Sequence, residues 1–212
     1  MNRRRFLQVS ALAGGTLLGS STVLPMAASS VDADGSSDRR FTLNYAPSPG
    51  QFEAHAGPDP VNQIAFAAEQ GFAAFEDNTL RDRSAQEQHR IGEALREHDL
   101  RMGVFVAHTI RWHEPSLTTG DPGPRRQFLD EIRASVEIAD RVDATWMTIV
   151  PGVRDPRLDE GFQTAHLVQT LREAARILEP HDLVMVLEPL NTRRDHPGQF
   201  LTHTAQAYQI CR

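Results

Sequence analysis

LVMVLEPL, residues 183–190, decides the fold. Leu183 to Leu187 run apolar with none of the alternation that a half-solvated strand shows. A short unbroken run of this kind is a strand covered on both faces, as strands of parallel sheets are. The run ends in Glu188 and Pro189, and the polar stretch NTRRDHPGQ (191–199) follows. A carboxylate at the end of a buried strand is out of place on energetic grounds unless the strand opens onto a site.

The same sequence of apolar run, polar end and helix recurs upstream. FTLNYAP (41–47), FAAFEDN (72–78), MGVFVAH (102–108) and ATWMTIVPG (144–152) are the other strand candidates. Between them lie helices over 60–71, 84–100, 124–142 and 162–180, and another begins at 201. Pro60 and Gly71 bracket the first helix, and Ser84 with Glu87 forms a capping box on the second. Alternating strands and helices require a parallel sheet with right-handed crossovers. The turn after the first strand, NYAPSPGQFEAHAG, lacks the G-x-G-x-x-G of an open dinucleotide-binding sheet. Polar side chains gather instead at the C-terminal ends of the strands: Asn44 and Tyr45, then Glu76, Asp77 and Asn78, then His108, then Glu188 and Asn191. That is the layout of a (β/α)8 TIM barrel. Five βα units are legible over 41–212, where a barrel has eight in about 250 residues. The expectation is therefore a C-terminally truncated barrel, inactive and poorly soluble by itself, with open strand edges. The rival is a complete five-stranded open sheet, which would expose a long edge.

The net charge is −6, and the first 31 residues hold three arginines and no acid, so the rest is more acidic still. Such a body lacks the basic footprint of a nucleic-acid binder. The chain has no lysine, which excludes Schiff-base chemistry on a lysine of its own. Cys211 is the single cysteine, so no intrachain disulfide forms. Residues 1–30 have the layout of an export signal: Arg3, Arg4 and Arg5, a soft apolar stretch from Val9 to Leu24, then small residues from Ala27. R-R-x-F-L over Arg3 to Leu7 is similar to a twin-arginine signal, which implies a folded cargo delivered to the periplasm. An uncut membrane anchor is the alternative. Residues 31–40 read as a linker.

GFAAFEDN (71–78), MGVFVAHTIRWHEPSLTTGDP (102–122), RASVEIADRVDATWMTIVPG (133–152) and LVMVLEPLNTRRDHPGQFLT (183–202) together resemble the hydroxypyruvate isomerase-like proteins of the xylose isomerase-like TIM-barrel superfamily. The resemblance implies a metal-dependent isomerase or epimerase of a small sugar or hydroxy-carbonyl acid. In that superfamily one divalent metal is held by a Glu ending strand five, an Asp ending strand six, a His on strand seven and a Glu ending strand eight. The two glutamates also move the proton. The resemblance carries Glu188 to the strand-five position, and the other three positions lie beyond Arg212. The ketohexose 3-epimerase branch has another Glu six residues after the first, where this chain has Arg194.

Glu188 is thus the candidate acid/base and metal ligand, working through an enediolate, with Mg²⁺ or Mn²⁺ suited to its hard oxygens. Its bland alternative is an ion pair with Arg193 or Arg194. Glu76, Asn78, Tyr45, His108 and Asn191 are the candidate substrate-binding residues. His108 would donate to substrate oxygens or else be a core histidine satisfied by backbone. His196 with Asn191 would orient substrate or lie in a solvated turn. Trp112 is a candidate pocket wall, and Trp146 is expected in the core. His113, His166, His181 and His203 read as surface. The expected partner is a small-molecule substrate rather than nucleic acid, and self-association is left open.

Overall fold

The structure, a computed structural model, describes residues 41–212. The expected export signal (1–30) and the expected linker (31–40) carry no structural account, since they lie outside the described residues.

The chain runs through α1 (Glu53–Ala56), α2 (Pro60–Glu69), β1 (Ala74–Phe75), α3 (Ala85–Glu97), β2 (Arg101–Met102), β3 (Val104–Val106), α4 (Pro122–Val142), β4 (Trp146–Ile149), α5 (Glu160–Leu178), β5 (Val184–Leu187) and α6 (Thr204–Cys211). Every strand pairing is parallel: β1 with β2, and β3–β4–β5 in that order. This is an α/β fold with part of a TIM barrel. Each long helix starts where sequence chemistry starts it. Asp59, Asp121 and Asp159 cap α2, α4 and α5 with their side chains, and Ser84 and Glu87 close the capping box on α3.

The ends of the helices follow a rule that the sequence hides. Asp99, Asp143 and Asp182 each precede a strand, and each is left-handed, at φ 53°, 52° and 55°. Glycine is the usual residue there, because a Cβ is strained in that region. One glycine is demanded by contact alone. A Cβ on Gly92 of α3 would come within 2.1 Å of the Arg141 carbonyl of α4, so the two helices can cross only at a residue with no side chain.

The core lies between the helices and the outward face of the sheet. Phe75, Met102, Phe105, Met147, Phe128, Ile132 and Leu167 are all at most 2% exposed. Met102 and Phe105 both join this core although three residues apart, so strict alternation fails between them. Gly103 is the break: β2 ends before it and β3 begins after it.

Two expectations are corrected. Residues 41–47 form no regular strand; Pro47 lends its carbonyl to the Glu76 N–H at 2.9 Å, and nothing else of the stretch joins the sheet. Prolines 47 and 49 remove the donors a ladder needs. Trp146 is not core: it is 40% exposed, because its register with Val104 and Val184 puts it on the face turned away from the helices. Val184 and Val186 share that exposed face.

Candidate functional site

Strand alternation decides which polar ends converge. In β5, Val184, Val186 and then Glu188 point to the face away from the helices, while Met185 and Leu187 pack against the core. Phe75 of β1 is buried among core residues, so Glu76 turns to that same inner face. Its Cβ lies 3.1 Å from where a Cβ on Gly103 would be, and Gly103 thereby leaves room for the glutamate. Burial, and then the negative charge of Glu188, push the Glu76 carboxyl above the ordinary carboxylate range. Glu188 is exposed; its N–H donates to the Ile149 carbonyl at 3.2 Å, and its carboxylate has no hydrogen bond or ion pair with any described residue. The alternative pairing with Arg193 or Arg194 is not formed.

The other candidates fall away from this pair. Asp77, one residue past Glu76, is 1% exposed and bound by Arg83 Nε at 2.5 Å and by the Thr79 N–H and hydroxyl. Asn78 is exposed, with no side-chain hydrogen bond to a described residue. Tyr45 is 50% exposed and meets Phe41 edge-on in the 41–47 segment. Asn191 accepts from the Arg193 N–H through its side chain and from the His196 N–H through its carbonyl, which makes it a turn residue. His108 is 5% exposed, and both ring nitrogens are engaged by backbone. Nε2 accepts from the Val150 N–H at 3.2 Å, so Nδ1 carries the proton and donates to the Thr109 carbonyl at 3.2 Å. Burial lowers its pKa to about 4. The geometry gives His108 the core role, clamping the ends of β3 and β4 together, and leaves no ring nitrogen for a substrate.

Two features escape sequence reasoning. Glu131 of α4 holds the loop after β3: it accepts from the Thr109 N–H and hydroxyl, each at 2.8 Å, and faces Arg81 at 3.5 Å. Burial acts to raise its pKa, but these hydrogen bonds, with Gln127 and Arg81, outweigh it and hold the carboxyl below the ordinary range. The loops after β3, β4 and β5 are laced together. Pro115 bridges Val153, which bridges Gln199; Arg154 N–H donates to Gly198, and Phe200 N–H to Gly152. Trp112 and His196 stack across this lacing at 4.9 Å. The sequence offers Trp112 and His196 singly, but no helical or strand period marks such loops, so only the structure brings the two together.

Among the described residues no group of three or more His, Cys, Asp or Glu side chains is gathered so as to hold a metal ion. Glu188, unpaired and exposed, suits a hard divalent ion as one ligand. The described residues do not complete a metal site. Among them, too, no helix is long and apolar enough to cross a membrane.

No curated protein matches the sequence. Among solved structures, an AP endonuclease, family 2, from Brucella melitensis is 25% identical, with a TM-score of 0.65 over 78% of this chain and 62% of that one. A 3-keto-D-glucoside 4-epimerase from E. coli is 17% identical, with a TM-score of 0.60 over 79% of this chain and 63% of that one. The IolI protein with a bound zinc atom is 17% identical, with a TM-score of 0.59 over 78% of this chain and 58% of that one. The chain thus spans less than two thirds of the length of each. At these identities the last two show the fold alone. Residues 64–212 match the family described as xylose isomerase-like TIM barrel. The parallel sheet, its polar C-terminal ends and this match agree: the chain belongs to the xylose isomerase-like TIM-barrel family.

Proposed function

We propose that the protein is an isomerase or epimerase of a small hydroxy-carbonyl compound, of the hydroxypyruvate isomerase type. The observation that carries this reading is the unpaired Glu188 carboxylate at the end of β5, with the half-buried Glu76 turned to the same face. Interconverting neighbouring carbonyl and hydroxyl carbons requires a base that takes a proton from the C–H and returns it to the adjacent carbon. A carboxylate with no ion pair among the described residues suits that role, and Glu188 lies at the strand end where barrel sites form. Glu76, with its carboxyl drawn toward the protonated form, suits a hydrogen bond to a substrate oxygen.

This reading includes a divalent metal, Mg²⁺ or Mn²⁺, which Glu188 would help to hold and which would supply Lewis acidity toward the substrate oxygens. Glu188 is the ligand this chain would lend. The acidic composition speaks against a phosphate-backbone substrate despite the endonuclease among the structural neighbours. Export through the twin-arginine route is part of the proposal, and loss of periplasmic accumulation on replacing Arg3, Arg4 and Arg5 by Ala tests it.

The deciding experiment is turnover of hydroxypyruvate and of a ketose panel, with and without added Mg²⁺ or Mn²⁺, followed by solvent-deuterium incorporation. Glu188→Gln should lower kcat by at least about a hundredfold, the scale of a lost general base. Turnover unchanged in that variant would refute the assignment of Glu188.

A further inference from the structure

Gln199 lies at the centre of the laced loops and is 3% exposed. Its backbone bridges Val153, and its N–H reaches the carbonyl of His196, whose ring stacks on Trp112. Phe200, the next residue, is 0% exposed and belongs to the core cluster. Successive side chains of extended backbone point opposite ways, so Gln199 turns from the core toward the loops above the strand ends. There both its amide nitrogen and its amide oxygen are buried with no hydrogen-bond partner among the described residues. The neighbouring buried polar groups are committed elsewhere: Ser116 Oγ to the Pro151 carbonyl, Thr118 Oγ1 to the Val153 carbonyl, and Gln163 to Asp155 and Leu158.

An orphaned buried amide lowers stability, and an apolar side chain of the same size would remove that cost. Its presence among otherwise satisfied groups is the pattern of a residue kept for a ligand. A carboxamide offers a donor and an acceptor side by side, which matches a hydroxyl next to a carbonyl or a pair of neighbouring hydroxyls.

We propose that Gln199 is a specificity-determining residue whose amide binds the hydroxyl and neighbouring oxygen of a hydroxy-carbonyl or polyol substrate entering between the loops after β4 and β5. This deepens, and rests on, the isomerase reading of the same strand ends.

The test replaces Gln199 with Met, and independently with Leu in case one variant folds poorly. Stability is read by thermal melting, and binding by the melting shift and calorimetry with dihydroxyacetone as an uncharged probe. Without probe, both variants should melt about 2–4 °C higher than the natural protein, the shift that removal of one unsatisfied group gives at this size. Their affinity for the probe should fall at least about tenfold, the discrimination that a lost hydroxyl contact provides. A lower melting temperature in both variants would show a structural amide satisfied by protein or water and would overturn the proposal. Equal probe affinity in the natural and variant proteins would overturn it too, as would the absence of probe binding to the natural protein. The isomerase reading is decided separately by turnover in Glu188→Gln, so the two can fail independently.

Discussion

Glu76 and Asp77 are neighbours in sequence and opposites in circumstance. Asp77 is sealed in and gripped by Arg83 and Thr79. Glu76 stands half-buried on the inner face with no ion pair to a described residue and the charge of Glu188 acting on it. One step along a strand reverses the side to which a side chain points, and here it separates a carboxylate locked into the fold from one turned to the inner face. His108 falls on the structural side of this division, with both ring nitrogens spent on backbone. A polar group at a strand end is therefore a candidate only when its face and its partners also leave it free.

The comparison can be broken by mutation. The largest effect is expected from Asp77→Ala, which strands the Arg83 guanidinium and uncaps Thr79; it should cost about 3 kcal/mol in urea unfolding, as broken buried ion pairs do. A loss below about 1 kcal/mol would show Asp77 to be no more structural than a surface carboxylate. Acid should come next, through His108. The unfolded imidazole takes up a proton near pH 6.5, whereas the native one resists until about pH 4. Its contribution is thus complete above pH 6.5 and drains away as pH falls toward 4, by roughly 3 kcal/mol in all. In His108→Gln the urea midpoint should lose that slope, and an unchanged slope would mean that another group carries it. The smallest effect is expected at Glu76. The native state holds its proton more tightly than the unfolded chain, so the ionised carboxylate weakens the fold above the ordinary glutamate range. Glu76→Gln should raise Tm slightly at pH 8 and leave it unchanged at pH 3. A lower Tm at pH 8 would put Glu76 with Asp77 and dissolve the contrast.

What was legible in the sequence follows physical range. The apolar runs around Phe105, Met147 and Met185 announce parallel strands because both faces of each strand are apolar, one packed on helices and the other on the inner side of the sheet, and Ser84 with Glu87 announces a helix start because capping acts over three residues. The 41–47 run was misjudged as a strand because prolines break the ladder that apolar residues alone suggest. Trp146 was misjudged because apolarity does not say which face a residue takes. The convergence of Glu76 with Glu188 was only half visible: strand ends can be counted in sequence, but parity depends on Gly103. Nothing local marks Gln199 or Glu131, whose partners are loops and a helix far along the chain.

The break at Gly103 acts as a gear between the two halves of the sheet. Met102 and Phe105 both mesh with the helices across it, while Glu76 and Glu188 stay on the other side. Without Gly103, Met102 and Phe105 would fall two apart, the spacing of one regular strand, and both would still face the helices. A side chain at that position would press on the Cβ of Glu76, so what the glycine keeps open is the space beside the inner-face carboxylate.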